Sequence, residues 1–114
     1  MLQRLIAGFC QVDGVKGATL LDAQGLHVVG FANEENFVQD TEHAESILRT
    51  AEKIAAEHNL GNVDQVWVES KDGNLIVANM TAGHKLILSG DQTPNLGRLR
   101  HEVNQSRTVF TQLV

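Results

Sequence analysis

Tyrosine is missing from this chain altogether, and tryptophan, proline and cysteine occur once each. A single cysteine, Cys10, excludes an internal disulfide and fits a reducing compartment. Every apolar run falls far short of the roughly 20 residues that span a bilayer, and no basic stretch leads into an apolar one as in a secretory leader. The expected location is therefore the cytoplasm, with no membrane contact. Low-complexity tracts, linkers and internal repeats are also lacking, so a single domain over residues 1–114 is expected. Few aromatics and a net charge of −5 exclude a nucleic-acid binder, which takes clustered Lys and Arg.

The signatures of chemistry are missing as well. There is no Gly-x-Ser-x-Gly elbow, no Ser-x-x-Lys and no telling pair of carboxylates, so no catalytic residue is expected. His27, His43, His58, His84 and His101 never stand at i, i+4, and Cys10 belongs to an apolar stripe; they read as surface or turn histidines and a core thiol, and no metal is expected. Gly14-Val15-Lys16-Gly17 lacks the Gly-Lys-Ser/Thr ending of a phosphate loop and leads into a strand where a helix should begin. Turning and close packing are its expected roles, and no cofactor is implied.

What is present is periodicity. Leu2, Leu5, Ile6, Phe9 and Cys10 follow the i, i+3, i+4, i+7, i+8 spacing of an amphipathic helix. Two apolar runs then flank Ala23-Gln24-Gly25 between Gly14 and Gly30, which is a hairpin signal. Residues 31–39 read as a loop. Asp40 or Thr41 caps a helix whose stripe is Ala44, Ile47, Leu48, Ala51, Ile54 and Ala55, and Asn59-Leu60-Gly61 stops it. Strands follow at Gln65–Ser70, Asn74–Met80 and Lys85–Ser89, with turns at Lys71-Asp72-Gly73 and near Ala82-Gly83. Thr93 and Pro94 then open a last helix bearing Leu96, Leu99, Val103 and Phe110.

The order is α–β–β–α–β–β–β–α, an α+β fold around a five-stranded antiparallel sheet with helices on both faces. Within their own strands Ala18 and Leu20 oppose Leu21, Leu75 and Val77 oppose Ile76 and Met80, and Leu86 and Leu88 oppose Ile87, so both faces need cover. Five strands span about 24 Å and one helix covers about 10 Å. Two helices cover one face; the third leaves its own face half bare, which a second copy would complete. Strand 65–70 has no Pro, bulge glycine or internal Lys, and pairing that edge with its twin would protect it. Trp67 is then either an interface anchor or a core residue.

These residues together resemble the roadblock/dynein light chain family. The resemblance rests on Gly14-Val15-Lys16-Gly17-Ala18 with Leu20, on Asp22 and Gly25-Leu26, and on the Ala- and Glu-rich helix from Glu42 to His58. It continues through strand 65–70, the Asp72-Gly73 hairpin, Leu86-Ile87-Leu88, and Asn95-Leu96-Gly97 with Arg100 and Glu102. It covers essentially the whole chain; the departures are a first helix that starts at Met1 and an idiosyncratic loop around Phe37. The resemblance implies a homodimer whose strands 65–70 pair and whose helices 42–58 lie side by side. It also implies a cytoplasmic, non-enzymatic regulator of a Ras-like small GTPase, similar to free-standing bacterial gliding-motility polarity regulators. Such a protein activates hydrolysis without donating an arginine finger, or simply holds the GTPase.

Candidate dimer residues are accordingly Val66, Trp67, Val68, Ile47, Ala51 and Ile54. Seven acids between Glu34 and Glu57 face only Arg49 and Lys53, which concentrates the charge imbalance in one segment. Candidate partner-binding residues are Glu45, Arg49, Glu52 and Lys53, as a charged platform or an ordinary solvated face, and Phe37, as a contact or a plug. Arg98, Arg100 and Arg107 read as solvated helix arginines. The alternatives in function are a scaffold or motor-subunit module without nucleotide dependence, and a ligand-sensing domain.

Overall fold

A computed structural model describes residues 2–12, 14–32, 41–91 and 96–113. The elements are α1 (Leu2–Phe9), β1 (Val15–Leu21), β2 (His27–Ala32), α2 (Glu42–Glu57), β3 (Gln65–Ser70), β4 (Gly73–Asn79), β5 (Lys85–Gly90) and α3 (Leu96–Leu113). All pairings are antiparallel and the strand order is β2-β1-β5-β4-β3. This is the expected α+β arrangement, with β2 and β3 as the two edges.

The first hairpin is closed by Asp22. Its Oδ1 accepts the backbone N–H groups of Gln24 and Leu26, both at 2.9 Å, and Gly25 supplies the positive φ of 84° that the turn needs. β2 runs on through Phe31 and Ala32, which pair with Ala18 and Gly17, so the strand invades the expected loop. Uncharged residues with pairing partners extend a ladder; the polar residues 33–40 lie outside the described residues.

The start of α2 departs from expectation. Thr41 stands at the N-cap, but its φ of −92° and ψ of −27° are already helical, and its side chain makes no capping bond. Its carbonyl accepts Glu45 N–H at 3.3 Å, so the residue acts through its backbone. Asp40, the other candidate cap, and Thr93 and Pro94 before α3 lie outside the described residues. The helix end follows expectation. Asn59 takes φ 57°, Leu60 N–H reaches Ala55 O at 2.9 Å, and Gly61 has φ 84°.

The sheet divides two cores. On one face α1 and α3 bury Ile6, Phe9, Leu99, Val103 and Phe110 against Ala18, Leu20, Ile76, Leu86 and Leu88. On the other, α2 lays Ala44 and Leu48 on Leu21, Val77 and Ile87. Ser106, which the apolar reading of α3 passed over, is buried in the same stripe. The α2 side chains Glu45 and Glu52 reach Lys85 and Asn79, which are register partners at one end of β5 and β4. At the other end of the same face an open hollow of about 300 Å³ lies between Lys16, Val68, Leu75, Ser89 and Asp91. A single helix thus leaves part of its face uncovered.

Candidate partner interface

β3 is an edge strand, and its residues divide by face. Val66 and Val68 stand opposite Val77 and Leu75 on the α2 side. Val66 is half-buried in the α2 core, while Val68 is 41% exposed. Trp67 points to the other face, half-buried against the α1–α3 core, with the Arg100 guanidinium 5.4 Å from its ring centroid. Its indole Nε1 is buried without a hydrogen-bond partner. The sheet therefore separates Trp67 from the other dimer candidates.

On α2, Ile47, Ala51 and Ile54 follow i, i+4, i+7 and line one side of the helix. Ile47 and Ala51 are half-buried and Ile54 is 50% exposed. Since α2 packs on β3 and β4, this apolar side shares a sheet face with Val66 and Val68 of β3, whose outer edge is unpaired among the described residues. An apolar helix side left partly in water is a surface suited to association.

The charged candidates are not equivalent. Glu45 is half-buried, 3.9 Å from Lys85 Nζ, and its carboxylate packs on Gly25, where a Cβ would come within 2.9 Å of Oε2. Glu52 accepts a bond from Asn79 Nδ2 at 3.2 Å. Both acids bond to residues at the sheet margin, but only Glu45 is half-buried; Glu52, Arg49 and Lys53 are exposed. Phe37 lies outside the described residues.

Sequence reasoning missed one polar junction, centred on Asn79 at the end of β4. Its N–H donates to Asp64 O at 2.8 Å, and its Nδ2 donates to Val63 O at 2.8 Å as well as to Glu52. Its carbonyl accepts Arg107 Nε at 2.9 Å, and Arg107 also donates to Asp64 O at 3.1 Å and Asn104 Oδ1 at 2.9 Å. Arg107, read from sequence as a solvated helix arginine, is instead a tie between α3 and the β3–β4 layer. Nothing in its spacing marks the tie to the sheet, because the acceptors there are backbone oxygens 28 and 43 residues away. Arg107→Met is expected to lower stability by about 2 kcal/mol with an unchanged urea m-value, since charged donors are lost from carbonyls that they satisfy.

The junction borders an open groove of about 550 Å³ lined by Glu52, Asn62, Asn79, Thr81 and Arg107. Among the described residues no group of three His, Cys, Asp or Glu side chains could hold a metal ion, and no helix is long and apolar enough to cross a membrane. Cys10 is half-buried, and burial pushes its thiol pKa up, which disfavours the thiolate. His84 donates from Nδ1 to Thr81 O at 3.1 Å and meets Phe110 edge-on at 5.1 Å between ring centroids, a packing role.

No family model matches the chain, and no curated protein matches it. Solved structures do. A Roadblock/LC7 domain from Streptomyces avermitilis superposes with a TM-score of 0.81 at 19% identity, over 97% of this chain and 95% of that one. Myxococcus xanthus MglB gives 0.77 at 16% identity, over 97% and 89%. An MglB with tetrameric arrangement gives 0.81 at 13% identity, over 96% and 84%. The chain has the Roadblock/LC7 fold. The resemblance read from the glycine-flanked hairpin, the Glu42–His58 helix and the later strands is therefore correct at the level of architecture.

Proposed function

We propose that this chain is a roadblock-family regulator, one domain over residues 1–114, that acts as a cytoplasmic homodimer on a Ras-like small GTPase of a bacterial cell. The observation that carries the reading is the open β3 edge, with Val68, beside the partly exposed Ile47–Ala51–Ile54 side of α2. Strand pairing across a two-fold axis would cover the edge, and paired α2 helices would bury Ile54. The MglB neighbour with a tetrameric arrangement supports self-association as a habit of this fold.

Regulation proceeds by docking, through ordering of the GTPase switch loops and without an inserted arginine. Arg107 is engaged by Asn79, Asp64 and Asn104, and Arg100 lies on Trp67, so neither extends as a finger. The partner contact uses the outward charges of α2, Arg49 and Lys53, with Glu45 and Glu52 holding the helix on Lys85 and Asn79. The scaffold reading draws on the same open edge, which would equally accept an extended peptide.

The test is recovery of a purified Ras-like GTPase on the immobilised protein, loaded with a non-hydrolysable GTP analogue or with GDP. Enrichment with the analogue alone, reduced at least about tenfold by Arg49→Glu with Lys53→Glu while the dimer mass is kept, is the expected result. Equal recovery in both nucleotide states would replace this reading with the scaffold.

A further inference from the structure

The sheet has a second open edge, and it carries no charge. Among the described residues β2 pairs only with β1, so the outer edge of His27-Val28-Val29-Gly30-Phe31-Ala32 is unpaired. Val28 and Phe31 on it are 43% and 37% exposed, and Leu26 just before it is 65% exposed. Natural edges are guarded by Lys, Pro, inward charges or cover. This strand has no Lys, Pro, Asp, Glu or Arg, whereas the β3 edge includes Glu69.

Register decides what such an edge fits. Val29 and Phe31 stand opposite Leu20 and Ala18, on the α1–α3 face, and Gly30 stands opposite Thr19 on the α2 face. The irregularity between Leu20 and Leu21 turns the start of the strand, with the ring of His27 lying beside Gly30. We infer that the outer edge of β2 pairs antiparallel with β2 of a second copy of this chain, about a two-fold axis at Gly30. A two-fold axis normal to the sheet keeps faces together, so only residues of equal parity meet. Val29 then lies opposite Phe31 of the partner subunit, and Val28 opposite Ala32 of the partner subunit, each pair occurring twice.

The occupant is a second copy because the strand complements itself. Aromatic meets β-branched on one face, small meets β-branched on the other, and no like charges are opposed. Gly30 places no side chain at the axis, where the two backbones come nearest. Six residues of strand bury far less than the roughly 800 Å² per partner of a standard interface, so the association depends strongly on concentration. The inference uses the opposite edge from the dimer proposed above and stands without it. Where both edges engage, copies join alternately through β3 and β2 into assemblies larger than two.

Sedimentation velocity of the full chain over a concentration series tests it. Wild type is expected to exceed the mass of Val28→Lys and Phe31→Glu at high concentration, and each variant to need at least about tenfold more protein to reach the same average mass. Val68→Lys, which blocks β3, should leave association through β2 in place. Loss of association with Val68→Lys alone, with both β2 variants behaving as wild type, overturns the inference and leaves the β3 dimer standing. Loss with the β2 variants alone does the reverse. Should either β2 variant fold poorly, Val28→Cys with Ala32→Cys in a Cys10→Ser background replaces it. Oxidation to a covalent dimer supports the register, and a chain that stays uncrosslinked, or that pairs only with an extended peptide of another protein, overturns it.

Discussion

Gly90→Ala is expected to lower stability by about 3 kcal/mol, seen as a fall in melting temperature of roughly 12 °C for a chain of this length. A Cβ at Gly90 would overlap the carbonyl oxygen of Gly14 and sit 3.0 Å from Val15 Cα. Both obstacles are backbone, so no rotamer change relieves them. The Gly14 carbonyl is itself engaged, accepting Asp91 N–H at 2.9 Å, and Gly73 lies on the other side with room for no Cβ against Gly90 O at 2.7 Å. Three backbones therefore converge where β1, β4 and β5 meet, and separating them shears the pairing that joins the halves of the sheet. Gly8→Ala supplies the contrast. Nothing lies within 4 Å of a Cβ there, and the position is helical, so the same change should stabilise by up to about 1 kcal/mol. Thermal or urea unfolding of the two variants checks the opposite signs.

The second large effect is on association. Val68→Lys is expected to convert the proposed β3 dimer to monomer, weakening it by about 3 kcal/mol, a factor of roughly a hundred. Two-fold symmetry brings two ammonium groups to the same junction, each stripped of water. Val68 is 41% exposed in the chain alone, so the fold itself should be unaffected, and circular dichroism should match wild type. Trp67→Asp is a blunter probe, because Trp67 also packs on the α1–α3 core. An unchanged mass for Val68→Lys across a dilution series would remove the β3 edge from the interface.

Local patterns carried most of this architecture. The stripe Ile6–Phe9, the apolar runs of β4 and β5 bounded by turns, and the Asn59-Leu60-Gly61 stop each name their own element, because a helix face and both sheet faces must be buried and one turn needs positive φ. The resemblance then assembled the elements into a fold. What stayed hidden depends on residues far apart in sequence. Arg107 finds Asp64 O and Asn79 O only after α3 has docked, and Glu45 finds Gly25 only after the hairpin has closed. A charge on a helix looks solvated until its neighbours are known. Of the two capping candidates Asp40 lies outside the described residues, and Thr41, already helical in φ and ψ, makes no side-chain capping bond.

The partition of the interior by the sheet bears on how such a protein changes over evolutionary time. The α1–α3 core is the larger of the two, whereas the α2 core is small and bordered by open surface. Substitutions beneath α1 and α3 are judged mainly by folding. Those on the α2 side are judged jointly by folding and by whatever covers that side, since a bound neighbour adds its own contacts to a thin layer. Lineages sharing this fold can therefore exchange neighbours by redrawing one face while the other preserves the chain's ability to fold. A sheet with two unequal interiors is a division of labour between inheritance and novelty.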